Sequence, residues 1–504
     1  MRKAALHNLG CKVNAYETEA MQQLLEENGY EIVPFEEKAD VYIVNTCSVT
    51  NMADRKSRQM LHRARKRNPQ AVIVAAGCYV QTAAESLKET LAADILIGNN
   101  KKQELPEILA AYFEKADAGI KCQPDFESAD RADTADKKTE QTAVSGQDGM
   151  PGQMSADDGA TAVPETAKTT GKMADADIFI EDISVEHSYE NLGLTRTAEH
   201  TRAYIKVQDG CNQFCSYCII PYARGRVRSR AMEDILSEVR TLAAAGYREV
   251  VLTGIHLSSY GIDFAKTSGE QDYLTGGAGR LLNLLEAVSQ VPGIARIRLG
   301  SLEPRIITED FVERLSRIPA ICPHFHLSLQ SGCDETLKRM NRHYTTEEYV
   351  AACALLRRYF HDPALTTDLI AGFPGETEEE FAQTLGFVEK VGFYETHVFK
   401  YSVRQGTRAA TMKNQVPEEI KTKRSGKLLE LSERKKKEYE DRFLGREVEL
   451  LAEEEAMCGG VRMMTGHTKE YLKVGVPMDD AVLERVKSGD IVKGIVGRNV
   501  FLVE

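Results

Sequence analysis

No uninterrupted apolar run in this 504-residue chain approaches the roughly 20 residues that a membrane helix requires. Met1-Arg2-Lys3-Ala4-Ala5-Leu6-His7 runs directly into a strand-like segment, without an apolar core followed by a cleavage site. Together these absences predict a cytoplasmic protein with no membrane partner. The signs of a disulfide framework are missing too. The 11 cysteines are odd in number and spread through a long chain. In a reducing compartment, cysteines that cluster are more often metal ligands. Large apolar residues are scarce from 117 to 190, where Asp, Thr, Ala, Gly and Gln dominate. Such a stretch cannot bury enough surface to offset its ordering entropy, so it reads as a disordered acidic linker.

The formal net charge of −12 argues against a nucleic-acid partner only until it is located. Between Glu114 and Glu186 stand 17 acidic and 7 basic residues, a net of −10, so the rest of the chain carries about −2. Local basic patches elsewhere can still bind phosphate.

What is present is alternation. In residues 1–113, short buried strands at 4–9, 41–46, 72–75 and 95–97 alternate with helical spacing near 16–29, 52–67, 81–92 and 102–113. That pattern implies a parallel α/β sheet. The alternation resumes with strands at 202–208, 248–254, 294–299, 324–329, 364–370 and 395–401 and helices between and after them. Six such repeats suggest a barrel or partial barrel, with its chemistry at the carboxyl ends of the strands. A charged helix at 417–441 follows. The tail then turns to β at 448–451, 471–476, 491–495 and 500–503, which suits a small β-barrel.

Two sets of cysteines stand out. Cys211, Cys215 and Cys218 share one loop after the first barrel strand, between Gly210 and Pro221. Three thiolates within eight residues can wrap one inorganic centre. Iron–sulfur cubanes usually take four cysteines, so three leave one iron open. A zinc knuckle is the competing reading. It needs a fourth ligand close by, and the nearest later candidate, His256, ends another strand. Cys11, Cys47 and Cys78 are far apart in sequence, but each ends a predicted strand. Parallel pairing brings such ends to one sheet edge, where ligands bind in open α/β sheets. Three buried structural thiols are the plainer alternative. Cys122, Cys322, Cys333, Cys353 and Cys458 show no metal spacing.

Gly10-Cys11-Lys12-Val13-Asn14, Asn45-Thr46-Cys47-Ser48, Gly77-Cys78 and the run Asp209-Gly210-Cys211-Asn212 through Ala223-Arg224-Gly225 resemble the methylthiotransferases among radical-SAM enzymes. The resemblance covers everything but the linker. It implies a methylthiotransferase N-terminal domain over 1–116, the disordered acidic linker over 117–196, a radical-SAM partial (β/α)6 barrel with its trailing helix over 197–441, and a TRAM RNA-binding barrel over 442–504. The family's usual connection between the first two domains is much shorter than this linker.

The resemblance further implies two [4Fe-4S] clusters, on Cys211, Cys215 and Cys218 and on Cys11, Cys47 and Cys78, with S-adenosylmethionine bound at the first. Glycine, lysine and valine around Cys11 resemble the branch acting on N6-threonylcarbamoyladenosine in the tRNA anticodon stem-loop. Isopentenyl-adenosine in tRNA and a ribosomal-protein aspartate are the other branches' substrates. A non-catalytic zinc or RNA-binding protein is the remote alternative. A one-electron donor such as flavodoxin or ferredoxin is implied. Thr253, Gly254, Glu303, Gln330, Asp368 and Gly372 sit at ends of barrel strands and are expected to line the S-adenosylmethionine pocket. Arg224, Arg226, Arg228 and Arg230, beside Tyr222, and Arg339, Arg342 and His343 are candidates for RNA phosphate or plain solvated charges. Gly466-His467-Thr468 marks a tail surface suited to exposed RNA bases.

Overall fold

The structure, a computed structural model, describes residues 1–87, 92–118, 176–197, 201–264, 270–478, 486–497 and 501–503. The first sheet comprises β1 (Lys3–Asn8), β2 (Glu31–Ile32), β3 (Val41–Thr46), β4 (Val72–Gly77), β5 (Ile95–Ile97) and β6 (Asp177–Phe179). Their order is β2-β1-β3-β4-β5-β6, and every neighbouring pair is parallel. β3 and β4 are buried at all six positions each, as expected of strands covered by helices on both faces. Two apolar layers do the covering. One gathers Val44, Ile73, Leu61 and Tyr79, the other Ile43, Val74, Met21 and Leu109.

Two expectations change here. The first helix spans Lys12–Glu27, starting four residues earlier than the spacing suggested and directly after Cys11. Residues 176–196, assigned to the disordered linker, are ordered: β6 adds to the edge of the sheet through Asp177, Ile178 and Phe179. Residues 119–175 of that linker, with Cys122, lie outside the described residues.

The second unit is a partial barrel of β7 (Ala203–Asp209), β9 (Glu249–Gly254), β10 (Arg296–Leu299), β11 (His324–His326), β12 (Ala364–Ala371) and β13 (Glu395–Lys400); the two-residue β8 (Arg228–Ser229) pairs antiparallel at the tip of β7. Its halves, β10-β9-β7 and β11-β12-β13, are parallel throughout and joined by the bridges Ile297–Ile321 and Leu302–Leu327. The helices that wrap it are well specified locally. Thr345 with Glu348 and Thr377 with Glu380 form capping boxes, and Gly392 ends its helix in the left-handed region at φ 64°.

Strand alternation decides what faces inward. Ile205, Leu252, Ile297, Phe325 and Leu369 pack outward into the helical layer. Their neighbours Lys206, Thr253, Arg298, His326 and Asp368 therefore face the lumen, as does His397, next to Val398, which packs on the same outer layer. Closed (β/α) barrels fill that space with branched aliphatic side chains. Here it is polar. His326 reaches Asp368 at 3.3 Å and stacks on His397 with ring centroids 5.7 Å apart.

The helix Glu418–Glu440 lies against β13, and two of its cations are buried rather than solvated. Arg424 pairs with Glu376 at 2.7 Å, and Lys421 donates to the Tyr401 carbonyl at 3.0 Å. The last sheet, β14 (Glu447–Cys458), β15 (Val461–Thr468), β16 (Lys473–Pro477), β17 (Ile491–Val496) and β18 (Phe501–Val503), is antiparallel in the order β16-β15-β14-β17-β18. β15 was not read as a strand. Gly466-His467-Thr468 ends it and packs beneath the barrel instead of facing solvent. Arg296 donates to the His467 carbonyl at 3.1 Å, and Arg298 to the Thr468 carbonyl at 3.1 Å. The His467 ring stacks on Tyr471 at 4.5 Å. No helix among the described residues is long and apolar enough to cross a membrane.

Candidate active site

β7 ends at Asp209, and the chain turns sharply into the first cysteine loop. Gly210 makes the turn at φ 71°; a Cβ there would lie 1.8 Å from the Arg226 carbonyl oxygen, so only glycine fits. The loop is held from β11's side of the barrel: Ser216 N–H donates to the Met340 carbonyl at 3.0 Å and Asn341 to that of Phe214 at 3.1 Å. Arg342 donates to Cys215 Sγ at 3.3 Å, and the Gln213 N–H to Cys211 Sγ at 3.5 Å. Burial pushes the Cys211 thiol up to about 12, with the Cys215 sulfur adding to it. Burial, then Cys215 and Cys211, pushes Cys218 up as well.

The second set forms at neighbouring carboxyl ends. Cys11 follows β1, Cys47 follows β3 and Cys78 follows β4, three adjacent strands. The order 2-1-3-4 places Cys11 and Cys47 at the topological switch point, the crevice that doubly wound sheets use for ligands. Gly10 sits against Cys47, where a Cβ would come within 2.9 Å of the Cys47 Cβ. Asn14 ties the loops together, donating to the carbonyls of Leu9 at 2.8 Å and Thr46 at 3.0 Å. Burial pushes Cys47 up to about 12, and the Cys78 and Cys11 sulfurs raise it further. Cys11 is exposed, yet the surrounding protein still raises its thiol, with Cys78 adding to the effect.

In each set the sulfurs are close enough to disfavour one another's charge. An all-sulfur donor set of this kind suits an iron–sulfur cluster, whose positive irons offset the thiolate charges that the protein alone does not. Among the described residues no group of three or more Cys, His, Asp or Glu side chains is gathered tightly enough to hold a metal ion, the two triads included.

The two sets are linked by a residue that was misread in the sequence. Arg224, six residues after Cys218, is fully buried and donates to Cys78 Sγ at 3.2 Å. It also binds Glu17 at 2.8 Å, Asp209 at 3.1 Å and Asn14 Oδ1 at 2.6 Å. Lys206 and Lys102 complete the network on Glu17, at 2.7 and 3.0 Å. Burial alone would raise the Glu17 pKa, but Arg224, Lys102 and Lys206 hold it well below the usual range. One side chain thus joins the loop of the first cysteine set to a sulfur of the second.

The phosphate role expected of this basic run is overturned for Arg224, Arg228 and Arg230, all buried; Arg230 pairs with Glu238. Arg226 alone is exposed, stacking over Phe214 at 4.4 Å beside the half-exposed Tyr222. Arg339 is taken by Glu380 and Arg342 by Cys215, while His343 is exposed.

Of the expected pocket residues, Thr253 and Asp368 face the lumen, and Glu303 is buried close enough to Cys211 to raise its thiol. Gln330 is buried with φ 73°, four residues after β11. Gly254 and Gly372 serve packing: the space of a Cβ is filled by Gln208 at 2.8 Å and by Lys421 at 2.4 Å. Cys322, Cys333 and Cys353 are buried, and Cys458 is exposed. Lys12, beside Cys11, is exposed, yet desolvation by the surrounding protein, then Arg202 and Arg298, lowers its ammonium to about 8.

Comparison with known proteins gives two family matches: "Uncharacterized protein family UPF0004" over residues 3–98 and "Radical SAM superfamily" over 205–388. The chain is 37% identical over 475 residues to the threonylcarbamoyladenosine tRNA methylthiotransferase MtaB of Bacillus subtilis, covering 94% of this chain and 90% of the relative. It is 33% identical to the tRNA-2-methylthio-N(6)-dimethylallyladenosine synthase of Acetivibrio thermocellus, covering 95% and 86%. Among solved structures it shares the fold of the radical S-adenosylmethionine methyltransferase TsrM from Kitasatospora setae, with TM-score 0.51 and 18% identity over 81% of this chain and 74% of that one.

Proposed function

We infer the function from the family to which this chain belongs, the methylthiotransferases of the radical-SAM superfamily. The enzyme transfers a methylthio group to carbon 2 of N6-threonylcarbamoyladenosine beside the anticodon of tRNA, using S-adenosylmethionine and two [4Fe-4S] clusters. The observation that carries this reading is the meeting of two cysteine triads through Arg224. Radical initiation and sulfur delivery need separate centres held at one place.

Cys211, Cys215 and Cys218 would hold the cluster that binds S-adenosylmethionine, and Cys11, Cys47 and Cys78 the one that delivers sulfur. A cluster and S-adenosylmethionine supply one-electron chemistry, which suits an aromatic C–H that is strong and hardly acidic. The chain's own residues orient that chemistry. Arg342 fixes Cys215, Arg224 fixes Cys78, and Thr253, Glu303, Gln330 and Asp368 border the space between loop and lumen. Tyr222, Phe214 and Arg226 form an exposed aromatic and cationic platform beside the cysteine loop, suited to an unstacked base. The target adenine must leave its stack to reach the lumen. The final antiparallel sheet is assigned as the TRAM unit, meeting RNA by surfaces other than Gly466-His467-Thr468. An external one-electron donor completes the system.

Dimethylallyladenosine is the second substrate to consider, because relatives acting on it match at similar identity. One experiment separates the two. In tRNA nucleosides from a deletion strain, methylthio-threonylcarbamoyladenosine will disappear and methylthio-dimethylallyladenosine will persist. The intact gene will restore the product and Cys215→Ala will not. Unchanged methylthio-threonylcarbamoyladenosine in the deletion strain rules the assignment out.

A further inference from the structure

We propose that the exposed face of the helix Asn51–Arg67 receives the phosphate backbone of the RNA stem that flanks the target nucleotide. The proposal rests on the tRNA substrate assigned above and adds the surface that holds the RNA outside the barrel.

The helix begins at the site. Thr50, three residues after Cys47, caps its first turn by accepting from the Ala53 N–H at 3.1 Å. That turn is pinned to the rim of the barrel. The Asn51 N–H donates to Ser402 Oγ at 3.1 Å, and Arg404 binds Asp54 at 2.6 Å and Asn51 Oδ1 at 2.9 Å. Ser402 and Arg404 follow β13, so the contact lies at the carboxyl end of a barrel strand, the side where such barrels carry their chemistry. From there the helix runs back over the first sheet, Leu61 and Ala64 packing with Val44 and Ile73, and leads away from the site.

Charge marks its outer face. The 17 residues hold seven Lys and Arg and one acid, Asp54, in a chain of net −12, and Asp54 is taken by Arg404. The inward cations have structural partners. Arg65 pairs with Asp94 at 2.6 Å, Arg58 donates to Tyr79 Oη at 2.6 Å, and Arg67 donates to the Phe35 carbonyl at 2.7 Å. The exposed residues 55, 56, 59, 62, 63 and 66 recur at helical spacing and form one stripe. On that stripe Arg55, Lys56 and Lys66 have no ion pair or hydrogen bond among the described residues, and Arg63 has only the exposed Glu36 at 3.8 Å. Cations on the helix Glu418–Glu440 are treated differently. There Lys435 pairs with Glu389 at 2.6 Å, Arg434 with Glu438 at 3.1 Å and Lys436 with Glu395 at 3.2 Å. A row of unmatched like charges repels itself, and an incoming polyanion relieves that repulsion.

The composition of the stripe selects the kind of polyanion. Protein interfaces centre on apolar or aromatic anchors, and from Arg55 to Lys66 the face exposes none. Nucleic-acid interfaces are polar and cationic. The stripe is about 16 Å long at about 1.5 Å per residue, enough to meet successive phosphates of one strand. A base delivered to the rim leaves its stem outside the barrel. A helix that starts on the rim and leads away from it offers that stem's backbone a cationic track.

The test uses the full-length, iron-loaded protein, an anticodon stem-loop RNA carrying threonylcarbamoyladenosine, and the same loop without its stem. Binding is read by fluorescence anisotropy as salt is raised. The triple variant Arg55→Gln/Lys56→Gln/Lys66→Gln should bind the stem-loop about tenfold to a hundredfold more weakly at about 0.1 M salt, and its slope of log affinity against log salt should be shallower by about two to three. On the stemless loop the variant and wild type should differ little. KM for the stem-loop should rise with kcat held, while circular dichroism and iron content match wild type. The control Arg434→Gln/Lys436→Gln, which removes paired cations, should leave the slope unchanged. A triple variant with wild-type affinity and slope on the stem-loop overturns the inference and leaves the proposed function standing. Normal RNA binding with turnover lost on reduced flavodoxin, but kept on dithionite, also overturns it and makes the face a dock for an acidic electron donor. Wild type that neither binds nor modifies the stem-loop removes the proposed function, and the inference with it.

Discussion

Replacing Cys78 with alanine will abolish methylthio transfer while S-adenosylmethionine is still cleaved to 5′-deoxyadenosine. The expectation follows from where the two triads sit. Cys78 starts a helix after β4 of the first sheet, whereas Cys211, Cys215 and Cys218 lie on a loop anchored by Met340, Asn341 and Arg342 of the barrel. Removing one sulfur from the first sheet leaves that anchoring untouched. Arg224 keeps Glu17, Asp209 and Asn14 when Cys78 is gone, so the contact between the two units persists. Iron should fall from about eight to about four atoms per chain, the difference of one cubane. The converse variant, Cys215→Ala, should lose both cleavage and transfer. Iron unchanged in Cys78→Ala, or cleavage lost with it, would mean that the triads are not independent sites.

Arg224→Met should cost more stability than any surface change, on the order of 3–5 kcal/mol, because it strips a fully buried cation from two buried carboxylates. Lys206 and Lys102 remain, but neither reaches Cys78 or Asn14 as Arg224 does. The pH dependence has a definite sign. Glu17 and Asp209 are held below their ordinary pKa values in the folded protein, with Arg224 the largest favourable influence on each against burial. Their contribution is therefore complete above pH about 5 and is lost as the pH falls through the carboxylate range. Wild-type stability to urea should drop steeply there, and that of Arg224→Met should drop less. A variant as stable as wild type at pH 7, with the same acid profile, would show that the network does not hold the two units together.

The cysteine positions were legible because each rests on local information. A thiol just past the end of a strand can be read from the strand's own pattern, and parallel order then brings Cys11, Cys47 and Cys78 together. Arg224 was not legible for the opposite reason. Its partner Glu17 lies 207 residues away, and only docking of the helix Lys12–Glu27 onto β7 makes a cation there buried. A run of alternating arginines looks like a phosphate-binding stripe in sequence; in the fold it is an internal scaffold. β6 escaped for a similar reason, since three residues completing a sheet from beyond residue 175 carry no periodicity of their own. Gly466-His467-Thr468 looked like a binding surface because nothing local signals that Arg296 and Arg298 will take its carbonyls.

The most direct measurement is a single anaerobic reaction. The full-length protein, loaded with iron and sulfide, is given S-adenosylmethionine, a one-electron reductant and tRNA carrying either threonylcarbamoyladenosine or dimethylallyladenosine, and the nucleosides are resolved by mass spectrometry. The two-triad account predicts methylthio-threonylcarbamoyladenosine, formed alongside 5′-deoxyadenosine. A product only on dimethylallyladenosine, or 5′-deoxyadenosine without any methylthio nucleoside, would contradict it.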